Sequence, residues 1–120
     1  MDIKIVKESE FIPQWNDNRE QADPLRVLLQ ALTTTQRTEC VDFGVDENGQ
    51  TVVRPKLRLL CKYGVKEIKN LSAEGTPIKT VDDLLSSRGG GLEVLLTEIG
   101  MEILVRNRAV DLKNSSLPSG

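Results

Sequence analysis

Between Leu92 and Asn107 apolar residues return every three or four positions, at Leu92, Leu95, Leu96, Ile99 and Ile103. That spacing lines one face of an α-helix. Such a helix holds together in water only if the face is covered, so the chain before residue 91 has to supply a matching apolar surface. Val94, Met101, Leu104 and Val105 widen the stripe beyond what one core-facing seam requires. The excess points to a second covering surface, within the chain or on another molecule. Met101, Leu104 and Val105 are the candidate partner-binding residues; the competing reading is a helix buried on nearly all sides.

The covering surface has to come from a short chain. With 120 residues, 38% of them hydrophobic, there is material for one core and no second full domain. Only four aromatics are present, so Leu, Val and Ile must fill that core. Ile3, Ile5 and Phe11 lie in a mixed apolar and charged stretch ending at Pro13, which reads as a strand with one wet face. Pro13 and Pro24 then bracket a polar connection rich in Asn and Asp. The apolar run Leu25–Leu32 reads as a second strand, because Thr33-Thr-Thr-Gln36 after it carries a hydroxyl N-cap and a Gln three residues on, the signature of a helix start.

A helix over about 34–42 follows, then Asn48-Gly49 beside β-branched residues, suited to a two-residue hairpin turn with positive φ at both central positions or equally to a mobile loop. Leu57, Leu60, Cys61, Val65, Ile68 and Leu71 again fall at helical spacing, with Gly64 inside the pattern marking a break or a close packing contact. Thr80-Val-Asp-Asp83 is a second capping box, opening a short helix that Ser86-Ser-Arg-Gly-Gly-Gly91 stops. The expected fold is therefore α+β, with short N-terminal antiparallel strands near 3–12 and 25–32 packed on a mainly helical C-terminal part. Residues 1–112 are expected to form one domain, the last helix to end near Asn107, and 113–120 to be a flexible tail.

The same residues narrow the chemistry. The formal charge is -2, with acids and bases mixed throughout, so no basic field gathers nucleic acid and no anionic membrane holds the chain. No apolar run approaches membrane-spanning length, and Met1–Ile5 does not open a secretory leader. There is no histidine, which removes Ser/His, Cys/His and histidine–zinc chemistry together. Cys40 and Cys61 lack the spacing of a redox or zinc pair and read as two small buried hydrophobes rather than a disulfide. Glu98 and Glu102, at i and i+4, read as a solvated edge rather than a shared-proton pair, and the glycine run as a turn rather than a phosphate cradle. No catalytic residue, cofactor or metal is expected.

The order of elements resembles the tail assembly chaperones of long-tailed bacteriophages. The likeness is carried by Glu10-Phe-Ile-Pro-Gln-Trp-Asn-Asp-Asn-Arg-Glu20, the strand closing at Leu32-Thr33 with its capped helix, and Val65-Lys-Glu-Ile-Lys-Asn-Leu71. It continues through Gly75-Thr-Pro-Ile-Lys-Thr-Val-Asp-Asp-Leu-Leu85, the helix from Gly91, and Lys113-Asn-Ser115. The resemblance implies a non-enzymatic protein of the host cell cytoplasm, absent from the mature virion. It would bind the tape-measure protein, keep it soluble and help recruit tail-tube subunits, with a homo-oligomer as a further form. Two other classes fit the residues: a structural head or tail subunit kept in the virion, and a small DNA-binding regulatory module on the lysine-rich stretch Lys56–Lys69.

Overall fold

The computed structural model of the chain describes residues 1–116, with side chains through Asn107. Its elements are strand β1 (Glu8–Phe11), a 3-10 turn (Trp15–Glu20), β2 (Arg26–Gln30), helix α1 (Thr34–Glu39), β3 (Val41–Val45), β4 (Thr51–Pro55), α2 (Leu57–Gly64) and β5 (Val65–Lys69). The minimal hairpin β6 (Ser72–Ala73) and β7 (Thr76–Pro77) follows, then α3 (Val81–Ser86) and α4 (Leu92–Ser116). The fold is α+β.

β2 is the centre of a three-stranded antiparallel sheet, flanked by β1 and β5. Its alternation puts Val27 and Leu29 on the inner face. The register completes two cross-strand rows, Phe11–Val27–Ile68 and Ser9–Leu29–Val65. Against that face lie Leu60 and Cys61 of α2 and Leu95, Ile99 and Ile103 of α4, all at most 1% exposed. Phe11 is the buried aromatic, and the rest of the core is aliphatic and thiol.

The first sheet strand is tied down by Arg106 of α4. Its Nη1 donates to Ser9 Oγ at 2.7 Å and to the Glu10 carbonyl at 3.2 Å, and its guanidinium stands 5.4 Å from the Phe11 ring centroid. The connection between the prolines is equally ordered. Buried Asn18 donates from Nδ2 to the carbonyls of Pro13 and Leu25 and accepts the Leu25 N–H on Oδ1. Every polar atom of this one buried polar side chain is therefore used. The Glu98 carboxylate accepts the N–H groups of Gln14 and Trp15, and Trp15 Nε1 donates to the Gly91 carbonyl. These bonds fasten the connection to α4.

Both capping boxes form. Thr33 Oγ1 accepts from Gln36 N while Gln36 Oε1 accepts from Thr33 N, and Thr80 and Asp83 exchange the same two bonds. Asp83 also accepts from Lys79 N, and these backbone donors hold its carboxyl below the usual carboxylate range.

Several boundaries differ from the sequence expectation. α1 stops at Glu39 instead of Asp42, because fully buried Cys40 turns the chain into β3 and its carbonyl accepts from Lys56 N. The hairpin loop is longer than two residues. Gly49 N donates to Asp46 O and Asp46 N to Gln50 O, with Gly49 alone at positive φ, the three-residue loop in which a type I turn is followed by a left-handed glycine.

The expected helix over 57–71 ends at Gly64, and Val65–Lys69 becomes an edge strand. The cause is a bulge. Val27 pairs with Ile68 but Leu29 pairs with Val65, so two steps on β2 match three on β5 and both Val65 and Ile68 turn inward. A three-residue apolar spacing thus arises in a strand and imitates helical periodicity. α4 runs past Asn107 to Ser116, so 113–116 of the expected tail are helical, and 117–120 lie outside the described residues.

Candidate partner surface on α4

α4 meets the core with one face and water with the other. Leu92, Leu95, Ile99 and Ile103 are buried, and Gly100 lets α2 come close: a Cβ there would stand 3.2 Å from the Leu57 carbonyl oxygen. On the far side, Val94, Met101 and Val105 expose 59, 42 and 53% of their surface. Their spacings of seven and four place them along one line of the helix. The three candidates are therefore not brought together as a set. Met101 and Val105 share the exposed line, joined by Val94, while Leu104 is 9% exposed and belongs to the core cluster. Leu104 is one position before Val105 and so turns about 100° from it around the helix, enough to take it under the edge of the stripe.

Val94 was visible in the sequence as part of the widened stripe, and its i, i+7, i+11 relation to Met101 and Val105 was the signal that groups them. The carboxylates between are engaged elsewhere. Glu98 accepts from Gln14 N and Trp15 N, and Glu102 accepts from Arg106 Nε at 3.0 Å.

A cleft of about 520 Å³ opens beside the other flank of α4, where Ile3, Ile5 and Val6 face Leu29, Leu32 and Ile103. Ile3, Ile5 and Val6 are themselves more than half exposed. Its polar wall includes Arg106 and Asn107, whose amide donates to the Ile103 carbonyl and accepts from Leu32 N.

The thiols are set apart from chemistry. Burial pushes the Cys61 thiol up to about 12 and raises Cys40 as well, so both stay protonated at neutral pH, and Cys61 Sγ donates to the Leu96 carbonyl. They are free and buried rather than bridged. Among the described residues no group of three or more Cys, Asp or Glu side chains is placed to hold a metal ion. No helix among them is long and apolar enough to cross a membrane.

The cations of the lysine-rich stretch do not form one helical face. Lys56, Arg58 and Lys62 lie at or on α2, whereas Lys66 and Lys69 lie on β5. Lys66 pairs with Glu8, and Lys56 with Asp42 at 3.4 Å. Ser86 at the end of α3 and Ser87 just after it donate their hydroxyls back to carbonyls of α3. No family model, curated protein or solved structure matches this chain.

Proposed function

We propose that the protein is a non-enzymatic tail assembly chaperone of a long-tailed bacteriophage, acting in the host cytoplasm and leaving before the virion is complete. On this reading it binds amphipathic segments of the tape-measure protein and presents them to tail-tube subunits. The observation that carries the reading is the Val94/Met101/Val105 line, an apolar strip left uncovered on a helix whose opposite face is core. A strip of that shape accepts the apolar face of another helix, the mode in which anchors repeat every three or four residues. The buried, protonated thiols and the separately engaged Glu98 and Glu102 favour binding over catalysis.

Co-expression with a tape-measure protein of a long-tailed phage tests the proposal. The wild-type chain is expected to keep the tape-measure protein soluble, and Met101→Asp combined with Val105→Asp to lose that effect while remaining folded. A tape-measure protein equally insoluble with and without the chain would refute the function. Recovery of the chain in purified virions would replace it with the structural-subunit reading.

A further inference from the structure

Of the asparagines in the chain, Asn48 alone is followed by glycine, and the pair sits in the loop between β3 and β4, at the outer end of the ribbon. Both residues are exposed, and the ribbon joins neither of the other sheets. A Cβ at Gly49 would meet nothing within 4 Å, so nothing packs against the glycine. The Asn48 carboxamide makes no hydrogen bond to another described residue. What closes the loop is Asp46. Its Oδ1 accepts the N–H groups of Asn48 and Gln50, each at 2.9 Å. Its carbonyl accepts the Gly49 N–H at 3.0 Å, and its own N–H donates to the Gln50 carbonyl at 2.9 Å.

We propose that Asn48 is a site of spontaneous modification, converted to aspartate and isoaspartate through a cyclic imide, and that Asp46 is the latch that sets how fast this happens. The Gly49 backbone nitrogen gives up its proton to solvent and bonds to Asn48 Cγ. The Cγ–Nδ2 bond breaks, and the side-chain nitrogen takes up a proton and leaves as ammonia. Water then opens the ring. Addition at Cγ restores the ordinary backbone with aspartate at position 48, while addition at the backbone carbonyl carbon leaves Gly49 joined to Cγ as isoaspartate. An amide and a water have become a carboxylic acid and ammonia, with nothing oxidised or reduced. Glycine favours the closure because it puts no side chain beside the attacking nitrogen and leaves the backbone its widest range. In the closed loop that N–H is engaged by the Asp46 carbonyl, so the nitrogen has to be released first. Release costs little at such a place, since an exposed loop on a two-stranded ribbon opens at the low end of a protein's stability range. The rate is then the open fraction multiplied by the rate of the open chain. The products alter the ribbon. A new carboxylate joins Asp46 and Glu47 at the tip, and isoaspartate routes the main chain through Cβ within a three-residue loop whose length sets its geometry.

Incubation of the full chain at physiological temperature and mildly alkaline pH, followed by digestion and mass spectrometry of the peptide carrying position 48, reads this directly. Electron-transfer fragmentation separates isoaspartate from aspartate. Both products are expected at position 48, accumulating more slowly in the native chain than in the same chain unfolded in guanidinium chloride. Asp46→Ala, which removes the Oδ1 acceptor, is expected to convert several-fold faster than wild type under native conditions and no faster in guanidinium. Asp46→Asn keeps an Oδ1 acceptor and should stay near the wild-type rate, which separates loss of the latch from a general effect of substitution at that position. Asn48→Gln, whose longer side chain closes the ring poorly, should give no product there. A native chain in which Asn48 stays intact while the unfolded chain converts overturns the proposal. Aspartate as the sole product would mean direct hydrolysis and would overturn the cyclic route. A native rate equal to the unfolded one, or an Asp46→Ala variant no faster than wild type, would remove Asp46 as the latch.

Discussion

The α2–α4 contact and the β3–β4 ribbon are built from equally apolar patterns and end in opposite environments. Where α2 meets α4, the chain removes side chains to bring backbones together: a Cβ at Gly64 would stand 2.8 Å from two Ile103 carbons, and Gly100 meets Leu57 in the same way. On the ribbon, Phe43 and Val53 pair across two strands with 69 and 53% of their surface in water. The difference teaches that an apolar period reports a face, while small residues set against large ones report that the face has a partner in the same chain. The core contact is a fitted surface, and the outer part of the ribbon is left in water.

The largest expected effect tests where the boundary between the two kinds of surface runs on α4. Leu104 lies beside the exposed line but inside the core, so Leu104→Asp places a carboxylate where 9% of the side chain meets water. A buried unpaired charge is costly, and truncating a buried leucine alone costs about 2–5 kcal/mol. The variant is expected to unfold or to lose most of its stability in urea denaturation. A folded variant with an unchanged midpoint would move Leu104 to the partner surface.

Next comes the glycine at the end of α2. Gly64→Ala is expected to cost about 1–3 kcal/mol through overpacking against Ile103, although alanine is the better helix former. Pairing it with Ile103→Val, which trims the side chain the new methyl meets, should recover part of the loss, read as a double-mutant cycle in thermal or urea melts. Additive losses would mean the two positions do not touch.

These positions also show what the sequence made legible. The capping boxes at Thr33 and Thr80 were readable because a cap is a local bargain among four consecutive residues. The pairing of the first two strands was readable because Pro13 and Pro24 isolate it and the Thr33 cap denies helix to Leu25–Leu32, but β1 begins at Glu8 instead of near residue 3 and leaves Ile3 and Ile5 outside it, more than half exposed. β5 was not, since a bulge gave Val65 and Ile68 helical spacing, and bulges depend on the neighbouring strand rather than on the residues themselves. Gly64 held the local clue to that break. Of the candidate site, Met101 and Val105 stand exposed, but Leu104 could not be assigned from spacing, because a residue 100° from an exposed one can fall on either side of the waterline.

A smaller effect lies at the α3 start, where the contact is made of hydrogen bonds in water rather than packing. Thr80→Ala removes the acceptor for Asp83 N and is expected to cost about 0.5–2 kcal/mol. The partner carboxylate adds a pH signature. Asp83 has its pKa depressed in the folded state, so its contribution is present above the unfolded carboxylate pKa and is lost as pH falls through the folded value. Denaturation midpoints of wild type and Asp83→Asn should therefore converge on acidification. A gap that stays constant with pH would show that the carboxylate charge is not what the backbone N–H groups hold.

The smallest expected effect lies on the ribbon and gives the comparison its sharpest edge. Phe43→Asp replaces an aromatic that is 69% exposed, on a strand whose cross-strand neighbour Val53 is itself half in water. Losing that pair costs about 0.2–1 kcal/mol at most, and relief of exposed apolar surface in the monomer offsets part of it. The melting curve should therefore barely move, in contrast to Leu104→Asp. A variant already several kcal/mol weaker in dilute solution would place Phe43 in the fold of the monomer, and the contrast between the fitted and the uncovered face would disappear.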